Sequence, residues 1–203
     1  MISKTAVVLV ASVFAAATAH AAEPVPAATT PAFAGPSIAG VCLLGQEAVL
    51  ANAKVGQAAT ARLQQLAQAV VAELSPERKA LEDEAKALEA QKAKLKPAQF
   101  EQKRQALAER VRAHQAKAAQ REQQLQATRA KALQTISQQE QPVLAEVYKA
   151  RGCGVLFARA SVLAGGEGMD LTPAVVQALD AKIATIAFEL EPPAPSATQP
   201  SAH

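Results

Sequence analysis

Leucine recurs at 74, 81, 88 and 95, and two residues later proline at 97 closes the series. Strict sevens in a tract of Ala, Gln, Lys, Arg and Glu are the seam of a left-handed helical supercoil. Pro97 disfavours ordinary helical geometry at Lys96, so a break in the helix is expected there. Beyond it a looser apolar face runs through Phe100, Leu107, Val111, His114, Ala118, Leu125, Ala132 and Ile136. Alanine at many of these positions lets two helices approach closely. Pro97 also lies almost midway between Glu47 and Ala150. These facts predict an antiparallel helical hairpin over about residues 56–149, turning at Pro97, with legs up to ~75 Å long. Ser75-Pro76 reads as an N-cap and first-turn proline, giving a bend at 74–76, and Pro142 as a kink near the base.

The hairpin interrupts something else. "SIAGVCLL", Ser37 to Leu44, reads as a buried strand, followed by a short helix over Gln46–Ala53, with Gly56 marking a turn or close approach. After Gly152-Cys153-Gly154, "VLFARASVLA" reads as a strand at 153–158 and a second short strand around 160–164. A glycine turn follows, then a helix from Asp170 to Ile186 with Thr172 as N-cap and Pro173 at N1. A strand needs a partner. The one available to 153–158 is 38–44, which the out-and-back hairpin returns to the same place. The fold class is therefore mainly α with a small β body (37–55 and 150–190) into which the helical arm is inserted. With aromatics at 3% and no Trp, such a body has little core of its own, so several copies are expected to share one.

Residues 1–21 read as a cleaved signal peptide: a basic start, an apolar run at Thr5–Thr18 too short to span a bilayer, and Ala19-His20-Ala21 as the cleavage site. The chain is thus expected in the periplasm, where cysteines oxidise. Cys42 and Cys153 fall in the two strands expected to be neighbours, so a disulfide between them is expected. The proline-rich stretches 22–36 and 191–203 are expected to be disordered leader and tail.

Charge is unevenly spread. The whole chain carries +3. Between 86 and 131 stand Lys86, Lys92, Lys94, Lys96, Lys103, Arg104, Arg110, Arg112, Lys117, Arg121, Arg129 and Lys131 against Glu89, Glu101, Glu109 and Glu122, a local +8. A solvated helix face is the bland reading of such a run. The sharper one is a basic arm that attracts acidic chains by long-range field. Nucleic acid is not expected as partner, because no aromatic stacking residues accompany the charge. No catalytic, cofactor or metal set is present. The histidines are His20, His114 and His203, "GGEG" (165–168) lacks a phosphate-loop lysine, and the carboxylates of Glu82-Asp83-Glu84 point apart on a helix.

In order and spacing the chain resembles the OmpH/Skp family of periplasmic chaperones from Ile38 to about Ile186. Three stretches carry the resemblance: "IAGVCLLGQEAVLANAKVGQAA", the alanine- and charge-rich rod, and "RGCGVLFARASVLAGGEGMDLTPAVVQAL" with its Asp170-Leu171-Thr172 turn. Cys42 departs from the polar residue many relatives carry in the first strand. The resemblance implies a homotrimer whose joint β body suspends three hairpins around a cavity. It also implies ATP-independent holding of unfolded outer-membrane proteins there. Contact of the basic arm with a membrane surface or lipopolysaccharide is a further expected partnership. The competing expectation, from a different class, is a structural coiled-coil spacer of the cell envelope.

Overall fold

The structure, a computed structural model, describes residues 35–193. The expected signal peptide, and the leader and tail beyond those bounds, lie outside the described residues. The elements run β1 (Val41–Leu44), α1 (Gln46–Asn52), α2 (Lys54–Gln91), α3 (Pro97–Ala150), β2 (Val155–Ala158) and α4 (Thr172–Lys182), with short 3-10 turns at Lys92–Lys94, Arg159–Ser161 and Glu167–Met169.

Helices α2 and α3 are the two legs of a hairpin, of 38 and 54 residues, about 57 and 81 Å long. Leu95 and Lys96 are extended, and Pro97 occupies the first turn of α3, where its missing N–H is no loss. The Gln99 side-chain carbonyl accepts from the Lys96 amide (3.4 Å), and the Gln99 amide donates to the Lys96 backbone carbonyl (2.9 Å). Leu81, Leu88 and Leu107 form a small core beside this turn, flanked by Leu95, Phe100 and Val111.

Neither internal proline stops its leg. Helix α2 runs through Pro76 and α3 through Pro142. Ser75 is not an N-cap: its hydroxyl donates to the Val71 carbonyl one turn back. This is an alternative use of a serine hydroxyl inside a helix.

At the base, α3 ends in a Schellman motif. Gly152 is left-handed (φ 65°), its amide donates to the Lys149 carbonyl, and the Cys153 amide donates to that of Tyr148. That reversal launches β2 alongside β1. The strands are parallel, with Val41 opposite Val155, Cys42 opposite Leu156 and Leu44 opposite Ala158. Parallel neighbours need a long crossover, and here the crossover is the entire arm. Cys42 and Cys153 are joined in a disulfide with a Cα–Cα distance of 5.8 Å.

The second strand expected at 160–164 is absent: β2 stops at Ala158 and the chain enters a 3-10 turn. The free edge of β1 is taken instead by the backbone at Asp170–Leu171, through a parallel bridge with Leu43 and the Leu171 amide on the Leu43 carbonyl (2.8 Å). Thr172 does not cap α4 either. The Asp170 carboxylate accepts from the Thr172 amide, while the Thr172 hydroxyl accepts from Gly45, tying α4 to the end of β1.

The main core gathers Leu44, Val49, Val55, Ile136, Leu171, Val175 and Leu179, all but Leu44 at most 1% exposed. Gly56 sits in the first turn of α2, hard against the Leu50 carbonyl of α1, a close approach that leaves no room for a Cβ. Helix α4 ends at Lys182, short of the expected Ile186. Ile183 turns extended, and the following segment leaves the body along the arm.

Candidate client-binding arm

The two legs are indexed to each other by ion pairs and one imidazole–carboxylate contact. Glu84 of α2 meets Arg110 of α3; Glu77 meets His114 (3.4 Å); Glu73 meets Lys117 (3.0 Å) and Arg121 (2.9 Å). Numbers fall on one leg as they rise on the other, as an antiparallel hairpin requires. Arg121 first, then Lys117, holds the Glu73 carboxyl below its ordinary range. Such exposed pairs add little stability against solvent screening, so the ladder mainly selects register. The arm's middle has few large apolar contacts, and the ladder covers that stretch.

This changes the meaning of the basic run. Lys117, Arg121 and Arg110 answer carboxylates on the other leg. Lys92 pairs with Glu89, Arg104 with Glu101, and Lys131 with Glu191. The local +8 omitted the α2 acids before residue 86, among them Glu73, Glu77 and Glu84, which precede it in sequence and lie beside it in space. Lys86, Lys94, Lys96, Lys103, Arg112 and Arg129 make no ion pair among the described residues, and all are exposed. Five of these six lie between 86 and 112, around the turn, so the uncompensated charge concentrates at the far end of the arm. Lys92 stands over the Phe100 ring there, 5.5 Å from its centroid.

At the base, β2 presents its outer edge to solvent. Val155 and Phe157 are each 47% exposed although both lie in a strand. Leu44, Leu144, Leu156 and Phe157 line a shallow apolar recess beside that edge. A parallel strand with one bare edge and bare apolar side chains is a surface for another chain.

Two side chains that the sequence reading passed over are buried on α3. Gln124 is 4% and Thr128 1% exposed, one turn apart on the same face. They hold the main chain of Glu191: the Gln124 amide donates to its carbonyl (2.6 Å), and the Thr128 hydroxyl accepts from its N–H (2.9 Å). No local signal marked them: their neighbours one turn away include Arg121 and Lys131, and polar residues are common along the whole arm. Glu140, 3% exposed, is a third buried polar residue. Burial raises its pKa, the Gln46 amide offsets only part of this, and its Oε1 has no hydrogen-bond partner.

Among the described residues no helix is long and apolar enough to cross a membrane, and no group of side chains is arranged to hold a metal.

A family model described as outer membrane protein (OmpH-like) matches residues 40–179. Among solved structures, the crystal structure of a candidate outer membrane chaperone (OmpH-like) from Caulobacter crescentus CB15 is similar. It is 39% identical, with a TM-score of 0.69, over 78% of this chain and 94% of that one. No curated protein matches significantly.

Proposed function

The chain belongs to the OmpH-like family of outer membrane protein chaperones, and from that premise we propose that it is an ATP-independent periplasmic holdase for unfolded outer-membrane proteins. The observation that carries this is the cluster of exposed, unpaired cations at the end of a long arm: Lys86, Lys94, Lys96, Lys103 and Arg112. A diffuse positive field attracts acidic unfolded chains without fixing any one geometry. Exposed apolar residues on the arm, Val71 and Leu133, supply weak additional grip. Weak contacts at many points release without fuel.

The working unit is a homotrimer. The free edge of β2, with Val155 and Phe157, is covered by further copies, which complete a shared β body and set the arms around a cavity. The same cations give the arm an affinity for anionic membrane surfaces.

The test is dilution of a urea-denatured porin into buffer with the oxidised chain and no nucleotide, followed by light scattering. The porin is expected to stay dispersed at 0.1 M salt and to aggregate at 1 M, where the screening length falls from ~10 to ~3 Å. A porin that aggregates at low salt as it does in buffer alone would sink the reading and favour an envelope spacer.

A further inference from the structure

The segment that leaves α4 runs past the family match, which ends at residue 179. It does not trail away. Ile183, Ile186 and Phe188 pack against the main core. Arg62 of α2 donates to the Phe188 carbonyl (3.4 Å) and pairs with Glu189 (2.5 Å). Lys131 of α3 pairs with Glu191 (2.8 Å). The segment is thereby strapped across both legs of the arm.

How it is held is informative. Gln124 and Thr128 bind the carbonyl and N–H of a single residue, groups that every non-proline residue carries. Both are set in advance. The Gln124 carbonyl oxygen accepts from Arg121 (2.9 Å), itself paired with Glu73, and the Thr128 hydroxyl donates to the Gln124 backbone (2.6 Å). What is left over is one amide donor and one hydroxyl lone pair, spaced to grip extended main chain. Arg62 and Lys131 flank the grip and accept acidic side chains two residues apart. The occupant matches in pattern: Ile186, Phe188 and Leu190 are half-buried, while Ala187 and Glu189 are exposed. Alternation of apolar and polar residues with period two is the pattern of an outer-membrane β-strand.

We propose that this cleft is a strand-binding site, and that the C-terminal segment is an internal stand-in for a client strand of alternating apolar and acidic residues. A client displaces the strap and takes over the main-chain grip at Gln124 and Thr128. This deepens the chaperone reading and rests on it for the identity of the client. Until then the strap, tethered at an effective concentration in the millimolar range, shields the site from weak ligands.

The experiment uses the full chain and two fluorescent peptides, one copying residues 183–193 and one of unrelated sequence alternating valine and aspartate. Anisotropy is measured against the natural chain and against a strap-release variant carrying Phe188→Ser, Glu189→Lys and Glu191→Lys. Release is expected to tighten binding of both peptides at least tenfold, and adding Gln124→Leu and Thr128→Val is expected to remove that gain. Should that variant lose helicity by circular dichroism, Arg62→Ala, which removes the flanking cation without offering a partner to the lysine introduced at 189, takes its place with the same expected loss. Equal affinity before and after release would overturn the proposal, as would capture of the 183–193 peptide alone. Porin protection without peptide capture sinks this proposal and leaves the chaperone reading standing. Peptide capture without porin protection does the reverse.

Discussion

Reducing the Cys42–Cys153 disulfide tests how the body is held together. The bridge spans 111 positions. In the chain-entropy model a loop of about that length costs the unfolded chain roughly 16 cal/mol/K, or about 4.8 kcal/mol at 25 °C. That figure assumes a featureless unfolded loop, and this loop is a heptad hairpin. If the hairpin persists in the unfolded ensemble, it already brings the two ends together. The effective loop then shrinks to about 15 residues, and the contribution to about 3 kcal/mol. The expected loss on reduction thus lies between about 3 and 5 kcal/mol. With an m-value near 2 kcal/mol/M, the urea midpoint should fall by about 1.5–2.5 M. Tyr148 makes the measurement local: it is the only tyrosine in a chain without tryptophan, and its carbonyl accepts from the Cys153 amide. Its fluorescence reports the base, while circular dichroism at 222 nm reports the arm. Both are followed at one fixed protein concentration, since association would itself shift the midpoint. Intact mass must show both thiols free. A Tyr148 midpoint that moves by less than about 0.3 M would refute the reasoning, because the loop would then be closed as well by contacts as by the bond.

Gly56→Ala separates close packing from helix propensity. In an open helix the change gains about 1 kcal/mol, but here the new Cβ falls on the Leu50 carbonyl oxygen, so a loss of more than about 2 kcal/mol is expected. A melting temperature equal to or above that of the natural chain would contradict the packing. Glu140→Gln is expected to stabilise at pH 7 by on the order of 1 kcal/mol. The carboxyl pKa is raised in the folded state from its ordinary 4.5, so the folded chain keeps a proton that the unfolded chain has lost, and stability falls as pH rises through the raised value. The advantage of Gln should therefore disappear below pH 4.5; urea titrations giving a pH-independent difference would reject this. Val155→Asp with Phe157→Asp should reduce the mass in solution to that of one chain while preserving helicity, and a light-scattering mass unaltered by both changes would rule out this edge as the assembly surface.

Much of the arm is written in local order. Leucines at intervals of seven, interrupted by a proline that disfavours helical geometry in the residue before it and lies midway along the tract, point to two helices and a reversal. Glycine at 152, after a long helix, dictates a left-handed stop. The 160–164 stretch shows the limit. Its alanine, valine and leucine suit a strand, but after Ala158 the chain enters a 3-10 turn at Arg159–Ser161 and leaves Leu163 in solvent, while the second edge of β1 is taken by the backbone at 170–171.

Charge pairing is likewise decided by distance in space. A count along residues 86–131 sees neighbours in sequence, whereas Coulomb energy depends on distance, and the nearest carboxylates of Lys117 and Arg121 lie about fifty positions upstream on the other leg. Sequence by itself determined the long helices and the turn between them, because those follow from bonding within a few residues. Only the tertiary structure decided which cations remain free, which strand edge stays bare, and that the residues following α4 are held across the arm. Each of those depends on a partner far away in the chain, and the chain's order carries no distance to it.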